Sequence, residues 1–294
     1  MDAALISLVV LLFTAQSFLC RLYTERYPGK PELASPIFTV VSGLIIACIT
    51  FAFAGFSFSA RWETLLLGVG NAVVLFGYNF FLIRASQRGS YAIMMVFSIA
   101  GGIVIPAITA AGFFGDDVTL PQILSILAIF VAVYLINLKE NDKQNGNKKG
   151  FLLACLGLAV CNGLYGSSLD AQVRLTGEGE SAELLILTFG CAALISLVST
   201  VFAQRKDTLP AFRQTTGSLV FLLSCSAVAA AAANMLLYGI SHINNTILLY
   251  TFDNSGVLLF SVLISCLFFK ERLNRINVFG CALMCAALVC FSLL

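Results

Sequence analysis

Long apolar runs separated by short polar connections dominate the chain. Ten of these runs reach the roughly 20 residues that a helix needs to cross the hydrocarbon core of a bilayer. They are too long and too continuous for the short alternating strands of a transmembrane barrel. The pattern therefore predicts an all-α membrane protein with ten transmembrane helices. The runs lie at about 3–21, 35–57, 63–83, 89–113, 120–138, 150–169, 183–203, 217–239, 243–268 and 276–294.

The composition supports this prediction. Of the 294 residues, 59% are hydrophobic and 11% are charged. The 17 basic and 15 acidic residues are too few to form the charged surface of a soluble domain of this size. The 10 cysteines lie in or beside the apolar runs, where free cysteine acts as a small hydrophobic residue. We therefore expect neither a metal site nor a cofactor.

The basic residues are distributed unevenly between the connections. The odd-numbered connections hold 15 of the 17 Lys and Arg residues, and the even-numbered ones hold only Arg61 and Arg174. The positive-inside rule predicts that the odd connections are cytoplasmic and that both termini are non-cytoplasmic. We expect a multi-pass protein of the plasma membrane, which in a bacterium is the inner membrane, in contact with the lipid bilayer. The net charge of +2 is spread over short loops, which argues against nucleic-acid binding.

A shift of the chain against itself by 155 residues reveals an internal repeat. It predicts a first five-helix repeat at 1–138, a cytoplasmic polar linker at 139–149 and a second five-helix repeat at 150–294. Because five is odd, the second half enters the membrane in the opposite orientation, as in transporters with a substrate site near the midplane. The matched pairs include Asn79 and Asn234, Ser86 and Ser241, Phe97 and Phe252, Gly101 and Gly256, and Phe113–Phe114 and Phe268–Phe269.

The end of each half carries an acidic residue after the fourth or ninth run and a small residue in the run that follows. In the second half, the segment FFKERLNRINVFGCALMCAALVCFSLL, at 268–294, carries Glu271 and Gly280. In the first half, Asp116 and Ser125 occupy the matching positions. Together with the ten runs, these positions resemble the drug/metabolite transporter superfamily, in particular its EamA-like ten-span members, which have a glutamate and then a helical glycine there. The resemblance implies two inverted repeats around a central cavity lined mainly by spans 1, 3, 4, 6, 8 and 9, and it favours export of a small solute.

Asp253 is the one acidic residue near the middle of an apolar run. A charge at mid-bilayer costs roughly 2.5–3.5 kcal/mol on insertion scales, so such residues face a bundle interior or a watery cavity. Asp253 binds a coupling proton, holds a cationic group of a substrate, or forms hydrogen bonds with neighbouring side chains, and the sequence leaves these three roles open. Its repeat partner is Ser98.

Other polar residues inside the apolar runs are candidates for the same site. Helical spacing puts Thr246 and Tyr250 on the face of Asp253. For each of the other candidates, the alternative is a structural role, an interhelical hydrogen bond that only stabilises the bundle. The complete set of candidates for binding substrate or a coupling ion is Asp253, Tyr250, Thr246, Ser98, Asn71, Tyr78, Asn79, Asn162, Asn234 and Gln16.

These features predict a secondary active transporter and not an enzyme. Its partner is a small polar or amphipathic solute, such as an amino acid-like compound, another metabolite or a drug, with a proton or cation as an open coupling partner. Two alternatives remain: a membrane-embedded enzyme, and a non-transporting receptor or assembly subunit. An enzyme would need several reactive groups converging at one depth, and the apolar runs offer one central acid. The chain is expected to act as a monomer or a homodimer.

Overall fold

The computed structural model describes residues 2–117, 119–137, 148–176, 178–203, 217–241, 246–271 and 274–293. Within these ranges every regular element is helical, and each apolar run found in the sequence forms a helix. The α-helices are α1 (Asp2–Arg26), α2 (Pro31–Phe53), α3 (Trp62–Ser86), α4 (Tyr91–Thr109), α5 (Leu120–Asn137), α6 (Lys148–Thr176), α7 (Ser181–Ala203), α8 (Gly217–Ser241), α9 (Thr246–Leu267) and α10 (Arg275–Leu293).

Seven of the described helices are long and apolar enough to cross a membrane, which fits a multi-pass, all-helical membrane protein. Three further apolar segments are shorter, at Leu120–Ile136, Asp253–Leu267 and Arg275–Phe291. The predicted linker at 139–149 is only partly visible. Lys148 and Lys149 already belong to α6, and the rest of the linker lies outside the described residues.

Local sequence explains where several helices begin and end. Ser90 caps α4, because its hydroxyl accepts a hydrogen bond from the Ile93 amide at 3.4 Å. A π-helical turn over Ala110–Phe114 extends α4 beyond Pro106. Gly115 then ends the helix in the left-handed region, at φ 72°, which glycine adopts without steric cost. The loop that follows α4 is therefore fixed by its own sequence.

The helices pack in pairs that cross between the two halves of the chain. Helix α1 packs against α8 and α9, and α6 packs against α3 and α4. Helix α2 packs against α7 and α8, α3 packs against α7, and α5 packs against α10. At the α4–α6 crossing, a Cβ at Gly101 would overlap the backbone of Ala159, so glycine is required for this close approach. Contacts between the halves therefore hold the bundle together.

The connections meet at two ends of the bundle. At the odd-connection end, the loop after α3 contacts the start of α6, where Arg88 Nη1 donates to the Gly150 carbonyl at 3.3 Å. At the even-connection end, the amide of Arg61 before α3 donates to Glu180 Oε2 at 3.0 Å. The site lies between these two ends.

Candidate functional site

A cavity of about 210 Å³ lies in the middle of the helix bundle. It falls below the roughly 300–1,000 Å³ that is typical of pockets for drug-sized ligands. A cavity of this size suits a compact solute. The described lining comes from eight helices, α1–α4 and α6–α9. The participation of α2 and α7, through Phe38, Ser42, Ile46 and Phe189, goes beyond the six spans that the family resemblance implies.

Seven of the ten predicted site residues line this cavity. They come from both halves of the chain. Asn79 and Asn234, which the repeat matches, both reach the cavity, and so do Ser98 and Asp253. The seven are Gln16, Tyr78, Asn79, Ser98, Asn162, Asn234 and Asp253.

Three predicted residues stand apart from this group. Asn71 lies on α3 but does not line the cavity; it is 1% exposed, and its Nδ2 donates to Thr188 Oγ1 of α7 at 3.4 Å. This hydrogen bond joins two helices, which matches the structural alternative for a buried amide. The side chains of Thr246 and Tyr250 lie outside the described part of the structure.

Asp253 is the only charged residue among the described residues that line the cavity. Its side chain is 6% exposed. Its Oδ1 is buried and accepts no hydrogen bond from any described residue. A buried acceptor without a partner costs roughly 1–3 kcal/mol, and more when it is charged. Asp253 is therefore poised to bind a proton, a water molecule or the donor group of a solute.

Two polar side chains that line the cavity with Asp253 are held by hydrogen bonds within the bundle. Asn162 Nδ2 of α6 donates to the Ser98 carbonyl of α4 at 2.8 Å. Asn234 Nδ2 donates to the Ala230 carbonyl of its own helix at 2.8 Å. Since each amide donates to a backbone carbonyl, its orientation is fixed by the bundle. This leaves the site with fixed amide groups around a single carboxylate.

Several lining residues were not predicted from the sequence. Ser17, Ser42, Ser226 and Asn254 line the cavity together with aromatic residues. The Ser42 hydroxyl donates to the Phe38 carbonyl one turn earlier, a bond that serine forms in many membrane helices. Such serines carry no signal in one sequence, because the same residue occurs as frequently at packed positions. The aromatic lining residues are Phe13, Phe38, Tyr78, Tyr165 and Phe189.

Glu271 closes the bundle at the odd-connection end. Its carboxylate follows α9 and accepts hydrogen bonds from the Tyr91 amide at 2.8 Å and from the Ser90 hydroxyl at 2.6 Å, both at the start of α4. The Ser265 hydroxyl of α9 donates to the same carboxylate. An anion is favourable there because the amides of a helix N-terminus carry partial positive charge. We call this arrangement the Glu271 clamp; it joins the two halves of the chain.

Arg21 of α1 extends the closure beside the clamp. Its guanidinium donates to the backbone carbonyls of Ser86 and Gly89 in the α3–α4 connection. It also lies over the ring of Phe269, at 5.4 Å from the ring centre. Arg21 comes four residues after Ser17, which lines the cavity. The odd-connection end is therefore closed by contacts between α1, α4 and α9.

A different set of contacts holds the even-connection end. Arg174 near the end of α6 forms a two-point ion pair with Asp116, with Nη2–Oδ2 and Nη1–Oδ1 distances of 2.6 and 2.9 Å. Its guanidinium also lies over the ring of Phe114, at 4.6 Å from the ring centre. The hydrogen bonds from Arg174 lower the pKa of Asp116 below its ordinary value of 3.8. The predicted repeat matches Asp116 with Glu271 and Phe114 with Phe269, and these matched positions lie at opposite ends of the bundle.

Comparison with known proteins leaves the family open. No protein-family model matches the chain, and no curated protein matches it. A solved crystal structure described only as "Crystal structure of protein" is similar, with a TM-score of 0.67 and 14% sequence identity. The match covers 100% of this chain and 98% of that chain. At this identity the likeness concerns the fold alone: the whole chain shares the fold of a solved structure.

Proposed function

We propose that the protein is a secondary active transporter that moves a small polar or amphipathic solute by alternating access. The observation that carries this proposal is the cavity at the centre of the bundle, to which both halves contribute and in which Asp253 lacks a hydrogen-bond partner among the described residues. Sites of this kind, between two halves near the midplane, are typical of transporters built from inverted repeats.

The packing of the helices supports an inverted-repeat architecture with ten spans. Exchange of α1 with α6, α3 with α8 and α4 with α9 turns the α1–α8 contact into α6–α3, and the α4–α6 contact into α9–α1. Two similar halves supply two arrangements of similar energy, one open to each side of the membrane. On this proposal the drug/metabolite transporter resemblance, with its EamA-like ten spans, extends over the whole chain.

The closed odd-connection end fits one state of such a cycle. Opening the cavity at that end requires the Glu271 clamp to release the start of α4. The basic residues of the odd connections predict that this end is cytoplasmic, so release of the clamp would admit solute from the cytoplasm. Export is the direction that this proposal favours, and proton coupling through Asp253 belongs to the same proposal.

The alternative functions have less support in the described residues. The cavity lining contains one carboxylate and no histidine or lysine in the part of the chain that the structure describes. An enzyme needs a nucleophile, base or electrophile converging on one point. A receptor or assembly subunit has no need for a cavity with an acidic side chain at the centre of the bundle.

The proposal is tested by solute flux through the purified protein. Proteoliposomes are loaded with a mixture of amino acids, amines, organic acids and sugars, and solutes that leave are identified by mass spectrometry under an imposed proton gradient. We expect selective, gradient-dependent release of one solute class, and its loss in the Asp253→Asn variant. Asp117→Asn, which removes an exposed acid outside the cavity, is the matched control. Release equal to that of protein-free liposomes for every solute would refute transport, and net chemical conversion without flux would favour an enzyme.

A further inference from the structure

The lining of the cavity has one sign of charge. Asp253 supplies a carboxylate, and the described lining residues include no Lys, Arg or His. Arg21 of α1 follows Ser17, which lines the cavity, by four residues. Its guanidinium is already bound to the carbonyls of Ser86 and Gly89 and lies over Phe269. Among the described residues, the cavity therefore offers a charged partner to a cation and none to an anion.

The rest of the wall suits the apolar body of a cation. Rings from α1, α2, α3, α6 and α7 line the cavity, and a cation near the face of an aromatic ring is attracted by the ring's quadrupole. Asn162 and Asn234 each donate an amide hydrogen to a backbone carbonyl. The carbonyl oxygens of these side chains remain as acceptors for the N–H groups of an ammonium.

Because Asp253 is buried, the sign of the charge on a solute strongly affects how well it binds in the cavity. A carboxylate that is 6% exposed lies where water screens charge weakly, so attraction to an ammonium and repulsion of a second carboxylate are both stronger than at a surface. An amino acid brings a carboxylate that finds no cation in the described lining. A phosphate-bearing solute brings more negative charge still. Both are penalised by the same acid that favours an amine.

We propose that the cavity selects compact monoamines: solutes with one ammonium group, an apolar body and no carboxylate or phosphate. This assignment rests on the proposed transport function and names its substrate class. The ammonium binds Asp253, its remaining hydrogens bond the neighbouring amide oxygens, and the apolar body lies against the aromatic rings. The volume of about 210 Å³ favours a small body, such as a single ring or a short branched chain.

The test compares three probes that share one ring and differ in charge. Phenethylamine is a cation, phenylalanine is a zwitterion and 3-phenylpropionate is an anion at neutral pH. Binding to the purified protein in lipid nanodiscs is measured by calorimetry, with 3-methylbutylamine as an aliphatic amine. We expect both amines to bind at least about tenfold more tightly than phenylalanine and 3-phenylpropionate, a difference that corresponds to about 1.4 kcal/mol.

Variants connect the preference to Asp253. Asp253→Asn keeps the shape of the side chain and removes the charge, so amine binding should weaken at least about tenfold while the weak binding of phenylalanine stays or improves. Asp253→Glu keeps the charge and should retain amine selectivity with altered affinity. Asp117→Asn should bind amines as the wild type does. Circular dichroism of each variant shows that loss of binding does not reflect loss of fold.

The outcomes separate this assignment from transport itself. If phenylalanine or 3-phenylpropionate binds as tightly as the amines, or if no amine binds the folded wild type, the assignment is overturned even where proteoliposomes carry out solute flux. If amines bind in an Asp253-dependent manner but do not cross proteoliposome membranes, the assignment stands and transport fails. Amine binding that survives Asp253→Asn with equal affinity also overturns the assignment.

Discussion

Loss of the Glu271 clamp should destabilise the protein far more than loss of another acid at the same end. The carboxylate of Glu271 accepts from the Tyr91 amide and from the hydroxyls of Ser90 and Ser265. Removing it in Glu271→Ala leaves the first amides of α4 without their anionic cap and separates α9 from α4. The variant tests whether this contact between the halves is a principal restraint on the bundle.

The magnitude follows from the bonds that disappear. A hydrogen bond to a charged group contributes about 1.5–3 kcal/mol, and loss of a helix cap costs about 0.5–2 kcal/mol. The hydrogen bonds and the cap involve the same carboxylate, so their contributions are not additive. We expect Glu271→Ala to lower the free energy of unfolding by about 3 kcal/mol. Glu271→Gln retains one acceptor and should lose about half as much. For a chain of this size, about 3 kcal/mol corresponds to a drop in Tm of roughly 5 °C.

The assay measures thermal unfolding of the purified protein in lipid nanodiscs by circular dichroism. Glu25→Ala is the matched control, because Glu25 also lies near the odd-connection end and pairs with Arg21 at 3.0 Å, but its side chain is 44% exposed. Such an exposed pair within one helix contributes about 0.3–0.5 kcal/mol. A second readout uses native Cys20, which is 2% exposed near Arg21. Release of the clamp should speed its labelling by a membrane-impermeant maleimide, quantified by peptide mass spectrometry.

Two results would contradict this reasoning. If Glu271→Ala lowers Tm no more than Glu25→Ala does, the clamp does not restrain the bundle. If Tm falls as expected but the labelling rate of Cys20 is unchanged, the carboxylate stabilises α4 without closing that end. The rank order of wild type, Glu271→Gln and Glu271→Ala then separates the contribution of charge from that of hydrogen bonding.

Further predictions concern a helix crossing and the even-connection end. Gly101→Ala should destabilise the protein by about 3 kcal/mol, the upper end of the cost of overpacking, because the new Cβ would overlap the backbone of Ala159. Gly70→Ala is the control: the space around a Cβ there is open, so the variant should be neutral or slightly stabilising in the same unfolding assay. Because the pKa of Asp116 is lowered in the folded state, its ion pair with Arg174 stabilises the protein above pH 3.8 and loses this effect as the pH falls through the lowered folded pKa. The Tm difference between wild type and Asp116→Asn should therefore be present at pH 6 and vanish at low pH; a difference that grows on acidification would contradict the assigned ion pair.

Hydropathy located the helices because burial in lipid demands long apolar runs, but it could not locate their polar ends. The last apolar residues of α6 were predicted near 169, whereas the helix continues to Thr176. The extension is polar: Arg174 Nε donates to Asp170 Oδ2 one turn earlier at 2.9 Å, and the same guanidinium reaches Asp116. Hydropathy detects the apolar run and not the full helix, so it does not predict a polar final turn that is held by ion pairs.

In the candidate site too, the sequence pattern predicts some features, and others depend on how the helices pack. Asp253 stood out because an acid at membrane depth is costly, and it does line the cavity. Asn71 and Tyr78 lie seven residues apart on α3 and share a face, yet only Tyr78 reaches the cavity. Asn71 lies two turns away and meets Thr188 of α7 instead. Helical periodicity gives the face of a residue, while the depth and the opposing helix depend on a tertiary arrangement that one sequence does not contain.

The two ends of the bundle differ in the kind of contact that holds them. Glu271 and Asp116, which the predicted repeat matches, lie one at each end and have different partners. Glu271 accepts hydrogen bonds from the N-terminus of α4 and from two hydroxyls. Asp116 forms an ion pair with Arg174 in which the side chains are 44% and 34% exposed. At the same end, Glu180 accepts hydrogen bonds from the Arg61 amide and the Thr64 hydroxyl. Each end is therefore held by contacts between the two halves of the chain, and in an alternating-access cycle the end that opens must break its own set of contacts.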